Sequence, residues 1–206
     1  MFARLIENLV TLIVVLDPVG TVPIFLRATE RLTSRDRAKV AFAATSIALA
    51  VLVLTMYFGQ YLLEDMHVGI SAFRIGGGAV LFIFASRMIF AGEHEGSLEE
   101  ATRTPTEIAV FPVAMPGIAG PGALLAAILL TDDYKFTLAE QTVTAGLAAL
   151  VMLGVLLVLL LATTIRRLFG SAGIMVITQI MGLILAAYSV QQMLDGFVEV
   201  FGPSGH

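Results

Sequence analysis

The sequence has no cysteine and no tryptophan, and charged residues make up only 14% of its 206 positions. Without thiols there is neither a disulfide framework nor a thiolate metal site. The net charge of −4, with an acidic stretch from Glu93 to Glu100 that reads as a solvated loop, argues against a nucleic-acid partner. His67, His94 and His206 are too scattered for metal spacing, so no metal is expected. The apolar stretches hold no Ser-His pair, paired aspartates or His-Glu metal arrangement. No catalytic residue is therefore assigned, and an enzyme is the least favoured class. A Gly-Lys-Ser/Thr element is missing too, so no nucleotide or other cofactor is expected.

What the chain has instead is apolar length. Hydrophobic residues reach 58% and the mean hydropathy is +0.93, against roughly 45–50% in soluble domains. A helix needs about 20 apolar residues to cross ~30 Å of hydrocarbon. Such runs recur near Leu5–Leu26, Val40–Leu62, Gly69–Ile89, Ile108–Leu130, Thr142–Ile165 and Ile174–Leu194. They lack the strict alternation of a barrel, so a lipid bilayer around six helices is expected. The N-terminal run is followed by Asp17-Pro18 and not by a small-residue cleavage pattern, and is read as a retained first span. Arg27, Arg31, Arg35, Arg37, Lys39, Arg87, Arg103, Arg166 and Arg167 all fall on one side of these spans. The other side has Arg4, Arg74 and Lys135 beside Glu64, Asp65, Asp132 and Asp133. The excess of positive charge on the cytoplasmic face then puts both termini outside the cytoplasm.

The chain resembles itself at about half its length. A shift of 103 residues carries Pro18 onto Pro121, and a shift of 105 carries Arg74 onto Gln179, Gly77 onto Gly182, Arg87 onto Gln192 and Met88 onto Met193. The order is a broken span, a plain span and a glycine-bearing span, twice. Three spans per half make the repeat inverted. The expected fold is all-α: one membrane domain over 1–206, with halves of about 1–92 and 105–200 joined by a cytoplasmic acidic loop at 92–106.

The breaks carry the functional signal. The first span is interrupted by Asp17-Pro18-Val19-Gly20-Thr21-Val22-Pro23, the fourth by Pro112 and then Met115-Pro116-Gly117-Ile118-Ala119-Gly120-Pro121-Gly122. An internal proline removes a hydrogen bond and clashes with the preceding turn, at roughly 3 kcal/mol. Two breaks at paired positions suggest discontinuous helices, restarted by Asp17-Pro18 and by Gly120-Pro121. The N–H groups at such restarts suit a carboxylate. Asp17, Pro18, Gly20, Thr21, Gly120, Pro121 and Gly122 are therefore the candidate substrate-binding residues, within a small cavity walled also by Val19, Val22, Ala119 and Ala123. Asp17 itself has three open roles: capping the half-helix, binding an ammonium, or carrying a proton. Arg74, Gln179 and Gln191 are candidates for polar support. The triple glycine 76–78 and Gly182 are read as helix contacts.

The Asp17–Leu26 run, the Ala119-Gly120-Pro121-Gly122-Ala123 run and the Ile180–Leu185 stretch with Asp195-Gly196 together resemble the MarC family of bacterial and archaeal inner-membrane proteins, over nearly the whole chain. The family pattern commonly has Asn where this chain has Thr21. The resemblance implies six spans in the inner membrane and transport of small neutral amino acids such as glycine and alanine. A secondary transporter with alternating access is the expected function, driven by a gradient of H+ or Na+ and compatible with an oligomer. The alternatives are a transporter or exporter of another small solute, drugs included, or a channel.

Overall fold

The computed structural model describes residues 2–90, 104–132 and 136–201. Most of the 92–106 linker lies outside them, as do His94, Arg103, Asp133, Lys135 and His206. The described residues form helices and no strand. Helix α1 (Phe2–Leu16) and helix α2 (Thr21–Ala28) make the first span, broken over 17–20. Helices α3 (Ser34–Asp65) and α4 (Ile70–Phe90) follow. The fourth span is α5 (Pro105–Ile118) and α6 (Pro121–Leu129), bent by 59° at their junction. Helices α7 (Leu138–Leu160) and α8 (Ala162–Phe201) complete the chain. Among the described residues five helical segments are long and apolar enough to cross a membrane, α1 and α2 counting together as the first, and six with the bent pair counted as one span.

Several helices outrun the apolar runs, because a helix need not stop where hydrocarbon does. In α3 the Thr33 hydroxyl accepts the Asp36 N–H at 3.2 Å, starting the helix in its charged segment, ahead of the expected Val40. Thr137 and Glu140 form a reciprocal capping box that starts α7 at Leu138. The largest difference is in the last two spans. Helix α7 stops at Leu160, and Ile165 to Arg167, expected at the span end and in a loop, are helical within α8. That helix runs to Phe201, past the expected Leu194, and is interrupted only at Gly170 (φ 68, ψ 175). No residue but glycine adopts that backbone readily.

One buried cluster draws on α1, α2, α3, α5, α6 and α7, and takes from α8 only its start, at Ala162 and Ile174. Helix α4 contributes nothing to it. Instead α4 packs along α8, and this pair joins the remainder through a small second cluster of Val15, Leu81, Ala85, Ala126 and Leu185. A methyl group on Gly78 would lie 2.9 Å from the Ser189 carbonyl, on Gly182 3.1 Å from that of Ala85, and on Gly196 2.8 Å from that of Ser71. Small residues let the two backbones approach, which is how helices bind each other where lipid removes the hydrophobic drive. Of the triple glycine, Gly78 meets α8, Gly77 meets Leu125 of α6, and Gly76 faces open space. Outward side chains such as Phe58, Phe90, Leu153 and Val198 are exposed and apolar, as lipid contact requires.

Candidate functional site

The first break is built by Asp17. Its N–H still bonds the Ile13 carbonyl, at 3.2 Å, closing α1. Its backbone then turns to φ 40, a conformation that short polar side chains tolerate better than most. The carboxylate Oδ1 accepts the Gly20 N–H at 3.0 Å, and the Thr21 N–H reaches the Asp17 carbonyl at 3.2 Å. The Asp17 side chain thus closes a turn over 18–20, and α2 itself starts at Thr21 after Gly20, with no side chain capping it, so Pro18 does not take the first helical position expected of it.

The second break has another construction. Thr104 and Glu107 form a capping box with Pro105 at the first position of α5. From Ala109 to Ile118 the chain then winds in wide π-type turns, with extended backbone at Phe111 (φ −137, ψ 123) and Met115 (φ −130, ψ 126), just ahead of Pro112 and Pro116. The residue before a proline is pushed out of the helical region by the ring. Gly120 (φ −78, ψ 177) ends this stretch, and Pro121 starts α6 with no side chain capping it.

The two breaks touch. The buried Thr21 hydroxyl is 3.0 Å from the Asp17 carbonyl and 3.1 Å from the Gly117 carbonyl, so one donor is shared between the two broken spans. Beside it lies a cavity of about 30 Å³, room for roughly two waters. Asp17, Gly20, Gly120, Pro121 and Gly122 all line it. Pro18 and Thr21 do not, Thr21 serving as the bridge. Of the expected walls, Val22, Ala119 and Ala123 are buried in the main cluster instead. The opposite wall comes from Leu81, Phe84 and Met88 of α4 and Leu185 of α8, which sequence reasoning missed. The only hint was the pairing of Met88 with Met193 in the repeat.

The glycines of the breaks are covered by protein. A methyl group on Gly122 would stand 2.6 Å from the Leu81 Cδ1, and one on Gly20 would collide with the Asp17 carboxylate and the Met88 Cε. The three polar-support candidates are elsewhere. Arg74 lies 3.8 Å from Asp195, to which the Gln191 amide donates at 2.7 Å, and the Gln179 amide donates to the Ile89 carbonyl at 3.2 Å. Arg74 and Gln179 tie α4 to α8, and none of the three lines the cavity. No group of three or more metal-ligating side chains occurs among the described residues.

Comparison with known proteins returns one family, described as MarC family integral membrane protein, matching residues 2–201. A UPF0056 membrane protein of Archaeoglobus fulgidus is 34% identical over 192 residues, covering 92% of this chain and 90% of that one. A UPF0056 membrane protein of Buchnera aphidicola from Schizaphis graminum is 31% identical, covering 94% and 95%. The UPF0056 inner membrane protein YhgN of Escherichia coli K12 is 29% identical over the same shares, 94% and 95%. No solved structure matches.

Proposed function

The chain belongs to the MarC family of integral membrane proteins, and from that premise we propose that it is a secondary transporter of small neutral amino acids in the inner membrane. The observation that carries this reading is the meeting of two broken spans at one cavity. The uncapped start of α6 offers N–H groups to a carboxylate without a buried basic partner, and the glycines and prolines of both breaks put backbone at the wall. A cavity of about 30 Å³ holds no amino acid, so the conformation is a closed one and loading requires movement.

The packing is what an inverted repeat would give. Helix α1 packs on α7 as α5 packs on α3; α4 packs on α6 as α8 packs on α2; α3 meets α7, and α4 meets α8. The caps repeat as well, Thr33 and Asp36 recurring as Thr137 and Glu140 at a shift of 104. In such an architecture the α4–α8 pair rocks against the main bundle, opening the cavity to either side in turn. The distribution of Arg and Lys favours termini outside the cytoplasm. An impermeant maleimide should then reach a cysteine at Val143, near the start of α7, in right-side-out vesicles and not in inside-out ones; the reverse would overturn that orientation.

Uptake of labelled glycine, alanine and serine into proteoliposomes, with and without H+ and Na+ gradients, tests the function. Saturable accumulation dependent on one gradient is expected, with lysine and glutamate failing to compete. Uptake that rises linearly with concentration and ignores both gradients would favour a channel, and competition by ethylamine as strong as by alanine would defeat carboxylate capture.

A further inference from the structure

Away from the breaks, a larger cavity of about 360 Å³ opens between the first turns of α1 and α7, within the ~300–1,000 Å³ of small-ligand sites. Its mouth carries both charges. Arg4 Nη1 donates to Glu140 Oε1 at 2.8 Å, and the guanidinium lies 5.5 Å from the centroid of the Phe136 ring. Its floor is polar and buried: the Asn8 amide donates to the Thr144 hydroxyl at 3.2 Å, and that hydroxyl donates to the Glu140 carbonyl at 3.1 Å. One turn beyond Asn8, Leu12 is fully buried in the main cluster. Asp17 is nine residues beyond Asn8, about 13.5 Å along a helix.

We propose that this cleft is an entry site for a zwitterion, which takes up Arg4 with its carboxylate and Glu140 Oε1 with its ammonium, replacing the ion pair between them. Three features support it. The pair is half exposed on both sides, and such pairs hold weakly enough to exchange partners. Arg4 stays in position through the face of Phe136, and its fork suits a carboxylate. Glu140 stays in position because its other oxygen, Oε2, accepts the Thr137 N–H and hydroxyl, each at 3.0 Å, leaving Oε1 to change partner. A solute with one charged group would leave the other residue unpaired, so the site selects for both charges together. The proposal rests on the amino-acid reading of the transport cycle, and it adds a recognition step ahead of the cavity at the breaks.

The chain has no cysteine, so a thiol placed at Val143 on the cleft wall reports on this position alone. The rate of maleimide labelling of Val143→Cys in proteoliposomes should fall at least fivefold in saturating alanine, and stay unchanged in ethylamine or propionate. Adding Glu140→Gln should abolish the protection while leaving the fold intact, because glutamine also serves in a capping box. Arg4→Gln should abolish it independently. Labelling that alanine, glycine and serine leave unchanged overturns the entry site, and uptake of the same solutes would then still support the transporter. Protection without uptake has the opposite meaning: the entry site stands and the transport reading falls. Equal protection by ethylamine, or protection that survives both substitutions, overturns the zwitterion.

Discussion

Thr21 is small, buried and positioned by the turn that Asp17 makes, and its hydroxyl bonds across from one break to the other. Replacing it by valine keeps the volume but leaves the Gly117 carbonyl without that donor in a region where lipid offers none. An unmade hydrogen bond of this kind costs about 1–3 kcal/mol. Thr21→Val should therefore lower the thermal unfolding midpoint in detergent and reduce uptake, whereas Thr21→Ser, which retains the hydroxyl, should stay near the parent in both. Equal behaviour of the two variants would remove the bridge from the account. At this scale the sequence was informative about which residues break the spans, because proline and glycine have local consequences that follow from covalent geometry. It was less informative about their partners. Arg74 and Gln191 look like candidates for a site because polar groups are rare in a span, yet their partner is Asp195 on α8, and no local pattern around Arg74 announces a contact so far along the chain.

Helices α4 and α8 were recognisable as spans, but the sides they turn inward were not. Apolar periodicity separates core from solvent only when the solvent is water; in lipid both sides of a helix are apolar, and the signal fades. Leu81, Phe84, Met88 and Leu185 escaped notice for this reason, although they wall the cavity. The small residues did keep their message. Gly78 and Gly182 meet backbone carbonyls across the helix pair, whereas a methyl group on Gly154 of α7 would have nothing within 4 Å. Overpacking costs about 1–3 kcal/mol, and carbonyls cannot move aside as side-chain tips do. Gly78→Leu and Gly182→Leu should thus lower the yield of folded protein and its unfolding midpoint, and Gly154→Leu should not. A Gly182→Leu protein as stable as the parent would mean that α4 and α8 do not sit this closely.

The molecule as a whole divides unevenly: a main bundle with one large buried cluster, and the α4–α8 pair held to it by a small second cluster beside the cavity. The cavity is walled by both parts and is too small for an amino acid, so the transport proposed above would require the parts to separate, whichever side opens first. A tether across the seam should stop transport, and a tether inside the pair should not. Gly77 on α4 faces Leu125 on α6, its added methyl group falling 2.9 Å from the Leu125 Cδ1, which makes Gly77→Cys with Leu125→Cys the pair across the seam. Arg74→Cys with Asp195→Cys is the control, joining α4 to α8 where the native side chains already approach to 3.8 Å. With no native cysteine to compete, a short thiosulfonate cross-linker can be scored on each pair alone. Bridging 77 to 125 should abolish glycine and alanine uptake, with recovery on reduction, while bridging 74 to 195 should leave most of it. Full uptake through the bridged 77–125 protein would show that α4 and α6 move together. The moving boundary would then have to run within the main bundle, between the broken spans themselves, where the shared hydrogen bond of Thr21 would have to be released.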